Sequence, residues 1–229
     1  MVGVILAAGS GRRMGRPKAD LVLDGVRLLD RAVAVALDAG CAQVVAVVRP
    51  GTTGPSRPAR VVTNSDPDAG QRASLALGVL AAAPALTAAA DVWPPPASVP
   101  PAAIAVPPAI AVPPAIAVPP AGGAGPPAAI AVLPVDAPGI GAEAVRAVVA
   151  AWRPGRIAVA RYSAAADWAH PVVMAPAMWR AAIDAAGPDE GARRFLRAHP
   201  DLIDLVAVPG DPSDLDTPGD LRRWAESQR

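Results

Sequence analysis

Short apolar runs alternate along the chain with segments whose apolar residues recur at helical spacing. The apolar runs predict seven strands, at residues 2–7, 43–48, 60–63, 129–133, 157–161, 171–174 and 202–208. The helical spacing predicts six helices, at residues 28–39, 71–83, 142–152, 177–186, 189–198 and 218–227. Strands that alternate with helices are typical of a mostly parallel sheet covered on both faces. We therefore expect an α/β protein with three layers.

A proline-rich segment interrupts this alternation before the fourth predicted strand. Residues 103–120 are three copies of Ala-Ile-Ala-Val-Pro-Pro, and an altered copy at 129–134 has Leu133 in place of the first proline. Since a Pro-Pro pair removes two backbone donors, only the altered copy can form a buried strand. We predict a single domain over residues 1–229, interrupted at about 93–128 by a disordered Pro/Ala-rich insertion. The alternative is that the insertion is a proline-rich arm that binds a partner.

The composition excludes several functional classes. Apolar residues make up 52% of the chain and aromatic residues only 3%, so the core must be large and aliphatic. The 21 basic and 20 acidic residues give a net charge of +1. The chain therefore lacks the overall positive charge that attracts nucleic acids, and we expect no nucleic-acid partner. The single cysteine, Cys41, excludes a disulfide framework and a multi-cysteine metal site, and we expect a buried thiol.

Targeting and membrane signals are absent from the sequence. The N-terminus lacks the basic region of a signal peptide. The stretch between Asp91 and Asp136 contains no charged residue, but its many prolines prevent the helix of about 20 residues that a membrane span needs. We expect a cytoplasmic protein with no membrane partner.

The segment after the first predicted strand is the strongest indication of chemistry. Residues 6–18 read Leu-Ala-Ala-Gly-Ser-Gly-Arg-Arg-Met-Gly-Arg-Pro-Lys. Glycines allow the backbone to approach a ligand with its N–H groups, and the cations neutralise phosphate oxygens. The spacing differs from that of the P-loop and from the Gly-x-Gly-x-x-Gly dinucleotide motif. We predict that phosphate groups bind here, the alternative being a loop of solvated arginines.

This loop and four further segments of the chain resemble the motifs of a family of nucleotidyltransferases that carry Leu-Ala-Ala-Gly-x-x-x-Arg-Met-Gly-x-x-Lys. The family includes molybdenum cofactor cytidylyl- and guanylyltransferases and, more distantly, sugar-phosphate and methylerythritol-phosphate nucleotidyltransferases. The four further segments are Asn64 to Leu75, Leu-Pro-Val-Asp-Ala-Pro-Gly at 133–139, Ala-His-Pro-Val-Val at 169–173, and Asp-Leu-Asp-Thr-Pro at 214–218. The resemblance extends over nearly the whole chain outside residues 93–128.

The resemblance implies a Rossmann-like nucleotidyltransferase fold and a Mg²⁺-dependent reaction. The expected reaction moves CMP from CTP onto a phosphorylated acceptor such as molybdopterin and releases pyrophosphate. In the family, Gly-Gly in the first loop accompanies guanine and Ala-Gly accompanies cytosine, so Ala8-Gly9 favours CTP. The alternatives are a guanylyl- or sugar-phosphate nucleotidyltransferase of the same fold, or a catalytically silent nucleotide-binding protein. The resemblance also makes a molybdoenzyme or a chaperone a possible partner of this protein.

Candidate site residues follow from the matching motifs and from the charge that grows on phosphate oxygens during transfer. Arg13 and Lys18 are the predicted catalytic residues because they would stabilise that charge. Asp136 and Asp216 are the predicted Mg²⁺ ligands, and His170 is a candidate contact for the acceptor. The predicted nucleotide-binding residues are Leu6, Ala7, Ala8, Gly9, Ser10, Gly11, Gly15, Asn64, Gly70 and Ser74.

Several of these residues also have structural interpretations. Asp136 could form a turn before Pro138, and Asp214 and Asp216 could serve the N-terminus of the last helix. His170 could be structural. The arginines at 193, 194 and 197 are interpreted as a solvated helix face, with binding of an anionic acceptor as the alternative.

Overall fold

The computed structural model describes residues 1–84, 128–163 and 168–227. Its strands are β1 Val2–Ala7, β2 Val22–Leu23, β3 Val26–Arg27, β4 Gln43–Val48, β5 Arg60–Thr63, β6 Ile130–Pro134, β7 Ile157–Tyr162, β8 Ala169–Met174 and β9 Ile203–Val208. Its α-helices are α1 Leu28–Asp38, α2 Gln71–Ala82, α3 Ala142–Ala151, α4 Pro176–Ala185, α5 Arg193–Ala198 and α6 Pro218–Ser227. The predicted strands and helices are present, with small shifts at their ends.

Seven of the strands form one sheet in the order β5-β4-β1-β6-β8-β7-β9. All neighbouring pairs are parallel except those of β8, which runs antiparallel to β6 and β7. A parallel neighbour of β7 would need a crossover of about a dozen residues or more, and the connection from β7 to β8 is much shorter. The expectation of a mostly parallel sheet is confirmed.

Two apolar clusters cover the two faces of the sheet and complete the three layers. One cluster packs α1 and α3 against the sheet, and the other packs α2, α4 and α5 against the opposite face. Aliphatic side chains dominate both, and the Cys41 thiol is buried in the first, as expected.

Two local features differ from the prediction. A short hairpin, β2–β3, was not predicted, and its turn residues Asp24 and Gly25 have φ angles of 50° and 79°. Helix α5 begins at Arg193 rather than at 189, because the Glu190 carboxylate accepts a hydrogen bond from the Gly187 N–H (2.9 Å) and holds the preceding residues in a turn.

The proposed insertion at about 93–128 lies outside the described residues, except for its last position. The assignment of one interrupted domain therefore stays a prediction. In the described part of the chain, no helix combines the length and the apolar character that crossing a membrane requires.

Candidate functional site

The glycine loop after β1 folds back on itself at the carboxyl edge of the sheet. Gly11 has a φ of 60°, and a side chain there would collide with the carbonyl of Arg16, so only glycine permits this loop closure. The Met14 N–H donates to the Gly11 carbonyl (2.8 Å) and closes a short 3₁₀ turn. Around Gly9 the space where a side chain would lie is open. A ligand can therefore approach the backbone of the loop closely.

Backbone hydrogen bonds bring Asp136 and Asp216 to the same edge. The Val135 N–H donates to the Leu6 carbonyl (3.1 Å), which holds the end of β6 beside the end of β1. The Leu215 N–H donates to the Asp136 carbonyl (2.8 Å), and this bond ties the segment before α6 to the loop after β6. The two predicted metal ligands consequently lie close together although they are far apart in sequence.

The Lys18 ammonium joins these two carboxylates. Its Nζ lies 2.5 Å from Asp136 Oδ2 and also donates to Asp216 Oδ1. The Lys18 side chain is only 14% exposed. Burial alone would lower the pKa of Lys18, but the charges and hydrogen bonds of Asp136 and Asp216 outweigh it and raise that pKa above its ordinary value. The more exposed Arg13 guanidinium lies 3.8 Å from Asp216 Oδ2.

The side chains that cap α6 belong to Thr217 and Asp220, not to Asp214 or Asp216. The Asp220 carboxylate accepts hydrogen bonds from the Thr217 N–H (2.6 Å) and the Asp216 N–H (2.9 Å), and the Thr217 hydroxyl accepts one from the Asp220 N–H (3.3 Å). This reciprocal arrangement is a capping box. The Asp216 carboxylate is thereby left to face Lys18.

Asn64 lies in the loop that joins β5 to α2, and Ser74 lies in the first turn of α2. Both side chains are buried, and the Asn64 amide donates to the Ser74 hydroxyl (3.0 Å). The Asn64 side-chain oxygen Oδ1 accepts a hydrogen bond from the Asp66 N–H (3.0 Å). These contacts shape the loop from within, and the nucleotide-binding roles of both residues stay predictions.

The same loop is anchored at its other end by Gly70. This glycine has a φ of 99°, and any side chain would collide with the carbonyl of Pro188. An exposed ion pair between Arg12 and Asp68 (3.2 Å) connects the loop with the glycine loop after β1. The two predicted nucleotide-binding segments are therefore neighbours.

A cavity of about 310 Å³ opens along the carboxyl edge, and the carboxylate pair lies close enough to Asp214 in its lining to act on that residue electrostatically. Its lining includes Leu6, Val132, Trp168, His170, Trp179, Arg193, Arg197 and Asp214. His170 Nδ1 lies 3.1 Å from the Val132 carbonyl, which fixes the proton on Nδ1 if the ring is neutral. Burial lowers the pKa of His170 although the hydrogen bond to Val132 and the charge of Asp136 oppose it, so the ring is neutral at pH 7 and offers Nε2 as an acceptor.

The structure divides the three arginines near α5. Arg194 forms an ion pair with Glu190 (3.0 Å), as expected of a solvated helix face. Arg193 and Arg197 line the cavity instead, and within the described ranges neither guanidinium forms a hydrogen bond or an ion pair. Glu190 and Asp214 also line the cavity, so the two arginines offer an anionic group local contacts and not a uniformly positive cavity.

Asp214 was missed as a candidate site residue. It lies in the cavity near Asp136, and burial together with that neighbouring carboxylate raises the pKa of Asp214 to about 6. The Asp-x-Asp spacing before α6 was the available signal, but it does not tell which aspartate faces the cavity.

The carboxylate pair suits a hard divalent cation whose remaining coordination positions are filled by oxygen atoms of a bound ligand. Asp136 and Asp216 converge on a single positive charge, the Lys18 ammonium. No group of three or more His, Cys, Asp or Glu side chains within the described ranges is arranged to hold a metal. A metal at this site would therefore depend on phosphate oxygens and water, as Mg²⁺ usually does.

A family profile described as a MobA-like NTP transferase domain matches residues 3–202. The chain belongs to this family. A probable molybdenum cofactor guanylyltransferase of Mycobacterium bovis BCG is 38% identical over 87 residues, which cover 37% of this chain and 43% of that protein. Family and relatives together make the chain a transferase related to molybdenum cofactor guanylyltransferase.

A second relative covers far more of the transferase but carries a different name. Nicotine blue oxidoreductase of Paenarthrobacter nicotinovorans is 29% identical over 230 residues, covering 95% of this chain and 92% of that protein. Its name describes a redox reaction, which calls for a direct test of both activities.

Solved structures confirm the Rossmann-like nucleotidyltransferase fold. The protein Rv0371c of Mycobacterium tuberculosis H37Rv superimposes with a TM-score of 0.66 at 21% identity, covering 98% of this chain and 97% of that one. Rv0371c has also been solved in a complex with manganese (TM-score 0.64, 20% identity, 99% and 98% covered). The 2-C-methyl-D-erythritol 4-phosphate cytidylyltransferase of Thermus thermophilus gives a TM-score of 0.58 at 18% identity, with 99% and 97% covered.

Proposed function

We propose that this transferase moves CMP from CTP onto a phosphorylated acceptor such as molybdopterin, with Mg²⁺, and releases pyrophosphate. The observation that carries the proposal is the cluster of Lys18, Asp136 and Asp216 beside the glycine loop. Open α/β sheets bind their ligands at the carboxyl ends of the strands, where this cluster lies. The cluster combines a cation for phosphate oxygens with two carboxylates that suit a hard metal ion.

The chemistry of transfer explains why this combination is useful. Attack on the α-phosphate of a nucleoside triphosphate places growing negative charge on its oxygens and on the departing pyrophosphate. Lys18, Arg13 and the backbone N–H groups of residues 9–15 would stabilise that charge, because preorganised donors contribute most where charge develops. Bound Mg²⁺ would supply further neutralisation of the phosphate charge.

The cavity beside the cluster is the proposed acceptor site. Arg193 and Arg197 provide positive charge for a phosphorylated acceptor, and the two tryptophans offer flat apolar walls. His170, neutral at pH 7, can accept a hydrogen bond from the acceptor through Nε2. An acceptor in this cavity lies next to the carboxylate pair, since Asp214 borders both.

The preference for CTP rests on Ala8. Its side chain is buried at the end of β1, so a methyl group occupies space that glycine would leave free. One methyl group discriminates by about 1–3 kcal/mol, or about 10–200-fold in kcat/KM. Ala8→Gly is therefore expected to raise the use of GTP by a factor in this range, and an unchanged ratio of CTP to GTP would remove Ala8 from base selection.

A redox function is the second candidate, because a relative named as an oxidoreductase covers 95% of the chain. Dinucleotide-binding sheets place the cofactor pyrophosphate on a helix that begins directly after the first strand. Here β1 ends at Ala7 and α1 begins only at Leu28, with two 3₁₀ turns and a hairpin between them. This connection favours transfer over binding of a nicotinamide dinucleotide.

Calorimetry separates these functions before any acceptor is known. CTP, GTP, ATP and UTP would each be titrated with Mg²⁺ into the protein, and NADH and NADPH would be titrated in parallel. Tightest binding of CTP supports the proposal, and tightest binding of GTP supports the guanylyltransferase alternative. Binding of NADH or NADPH without any nucleoside triphosphate would favour the redox candidate, and triphosphate binding without turnover would indicate a silent protein. The Mg²⁺ requirement, the cytoplasmic location and a molybdoenzyme or chaperone partner stay predictions.

A further inference from the structure

The Lys18 ammonium lies at the point on which both candidate metal ligands converge. Its distance of 2.5 Å from Asp136 Oδ2, together with its hydrogen bond to Asp216, leaves no room between the two carboxylates for a second cation. The three residues come from distant parts of the chain, separated by 118 and 198 positions. The contact is therefore a product of the fold and not of neighbouring residues in one loop.

We propose that Lys18 keeps this site closed to free divalent ions, so that the metal binds together with the nucleotide and not before it. The role of the nucleotide in this inference rests on the proposed function. Lys18 would act as an internal counter-ion of the carboxylate pair in the free protein. It would then move to the phosphates when the nucleotide enters.

Charge and size both support this exchange. A divalent ion bound to Asp136 and Asp216 needs oxygen ligands at about 2.0–2.1 Å for Mg²⁺. It would then lie within a few ångströms of the ammonium, where two like charges repel strongly because the site is partly buried. A free ion must therefore displace the ammonium without offering it a new partner. An incoming triphosphate provides that partner, because its oxygens carry negative charge.

The other cations of the loop cannot take over this role. Arg13 reaches only one of the carboxylates, at 3.8 Å, and its side chain is 76% exposed to solvent. An exposed pair at this distance contributes little. Arg16 is exposed, and among the described residues it forms no ion pair. Arg16 therefore offers a matched control, a positive charge in the same loop that does not contact the carboxylates.

The test measures binding of Mn²⁺ alone by electron paramagnetic resonance, with the whole chain and no nucleotide. Lys18→Met is expected to bind free Mn²⁺ at least tenfold more tightly than the parent. Arg16→Met is expected to stay within threefold of the parent. Equal or weaker Mn²⁺ binding by Lys18→Met would overturn the inference, as would an equal gain in both variants, which would show a general charge effect.

A second measurement adds CTP to each sample. The parent is expected to gain Mn²⁺ affinity when CTP is present, and Lys18→Met is expected to lose most of that gain. A parent that binds Mn²⁺ equally well with and without CTP would contradict coupled entry.

Folding of the variant is followed by thermal melts with and without Mn²⁺. Removing the ammonium leaves two carboxylates without their counter-ion, so Mn²⁺ should raise the Tm of Lys18→Met by more than it raises that of the parent. Lys18→Gln is the second neutral variant and is expected to behave in the same way. If neither neutral variant gains Mn²⁺ affinity or Mn²⁺-dependent stability, the inference is wrong.

The Mn²⁺ titrations without nucleotide do not depend on turnover. If they give the expected result while no nucleoside triphosphate binds, Lys18 closes the metal site and the proposed function falls. If transfer from CTP is observed and the variants show no gain in Mn²⁺ binding, the proposed function stands and the closure by Lys18 falls.

Discussion

Replacing Gly139 by alanine should separate the two loops that carry the candidate metal ligands. The Asp211 N–H donates to the Gly139 carbonyl (3.2 Å), which holds the segment before α6 against the loop after β6. A Cβ at position 139 would collide with the Asp211 carbonyl and lie 3.0 Å from Asp211 Cβ and 3.1 Å from the Trp224 ring. Carbon atoms pack best at about 3.5–4.0 Å. The loops must therefore move apart by about 0.5–1 Å.

This displacement sets the expected size of the effect. A shift of about 1 Å in catalytic groups can cost about 100-fold in rate, so Gly139→Ala should lower kcat by about 10–100-fold. Overpacking of this kind usually costs about 1–3 kcal/mol of stability, which for a chain of this length lowers the Tm by several degrees. Pyrophosphate release from CTP reports the rate, and urea unfolding reports the stability.

The matched control is Gly141→Ala, two positions further along the same loop. Nothing lies within 4 Å of a side chain at Gly141, whose φ of −87° suits any residue. This variant should keep the activity of the parent, and its melting temperature should fall only by the small cost of alanine at the N-cap of α3. If Gly139→Ala changed both as little, the contact between the two loops would not determine the spacing of the carboxylates.

Further substitutions test the charges of the site and of the fold. Lys18→Ala should lower kcat by about 10²–10³-fold in a pyrophosphate assay. Arg13→Ala should lower kcat by less, because the Arg13 side chain is more exposed. Losses below threefold for both variants would exclude the loop from the mechanism. Asp136→Asn should abolish metal-dependent turnover in a Mg²⁺ titration while the melt stays cooperative, and normal turnover would make Asp136 a turn residue. Asp204 accepts a charged hydrogen bond from Arg156 that holds the pKa of this carboxyl at about 2. The ionised Asp204 carboxylate makes its full contribution to the free energy of unfolding above about pH 5, and this contribution is lost as the pH falls towards 2. Asp204→Asn should therefore cost about 1–2 kcal/mol in urea unfolding at pH 7 and almost nothing at pH 2, and a loss independent of pH would contradict the assignment.

The order and type of the long elements could be predicted from the sequence because burial imposes their periodicity. The hairpin β2–β3 escaped detection because strands of two residues show no alternation, although Asp24-Gly25 is a strong hairpin signal. The late start of α5 depends on one side chain, Glu190, that binds the backbone in place of the helix. Such competition between side chain and backbone leaves no periodic trace.

The candidate site was predictable only in part. Lys18 and Asp136 follow strands whose carboxyl ends lie at one edge, and this placement follows from a parallel sheet. The bridge from Lys18 to Asp216 depends on a backbone hydrogen bond between distant loops, which no local pattern encodes. The division of the arginines near α5 depends on how that helix packs against the cavity, and Arg193 and Arg197 became cavity residues only in the folded chain.

Transfer of label from α-labelled CTP is the measurement that tests the proposed nucleotidyl transfer most directly. The protein would be incubated with Mg²⁺, α-labelled CTP and molybdopterin, and labelled acceptor and pyrophosphate would be quantified together. The account predicts equal amounts of both products from the parent, and neither product from Asp136→Asn or without the divalent metal. The account is contradicted if Asp136→Asn forms pyrophosphate and labelled acceptor as well as the parent does. It is also contradicted if none of the four nucleoside triphosphates gives labelled acceptor.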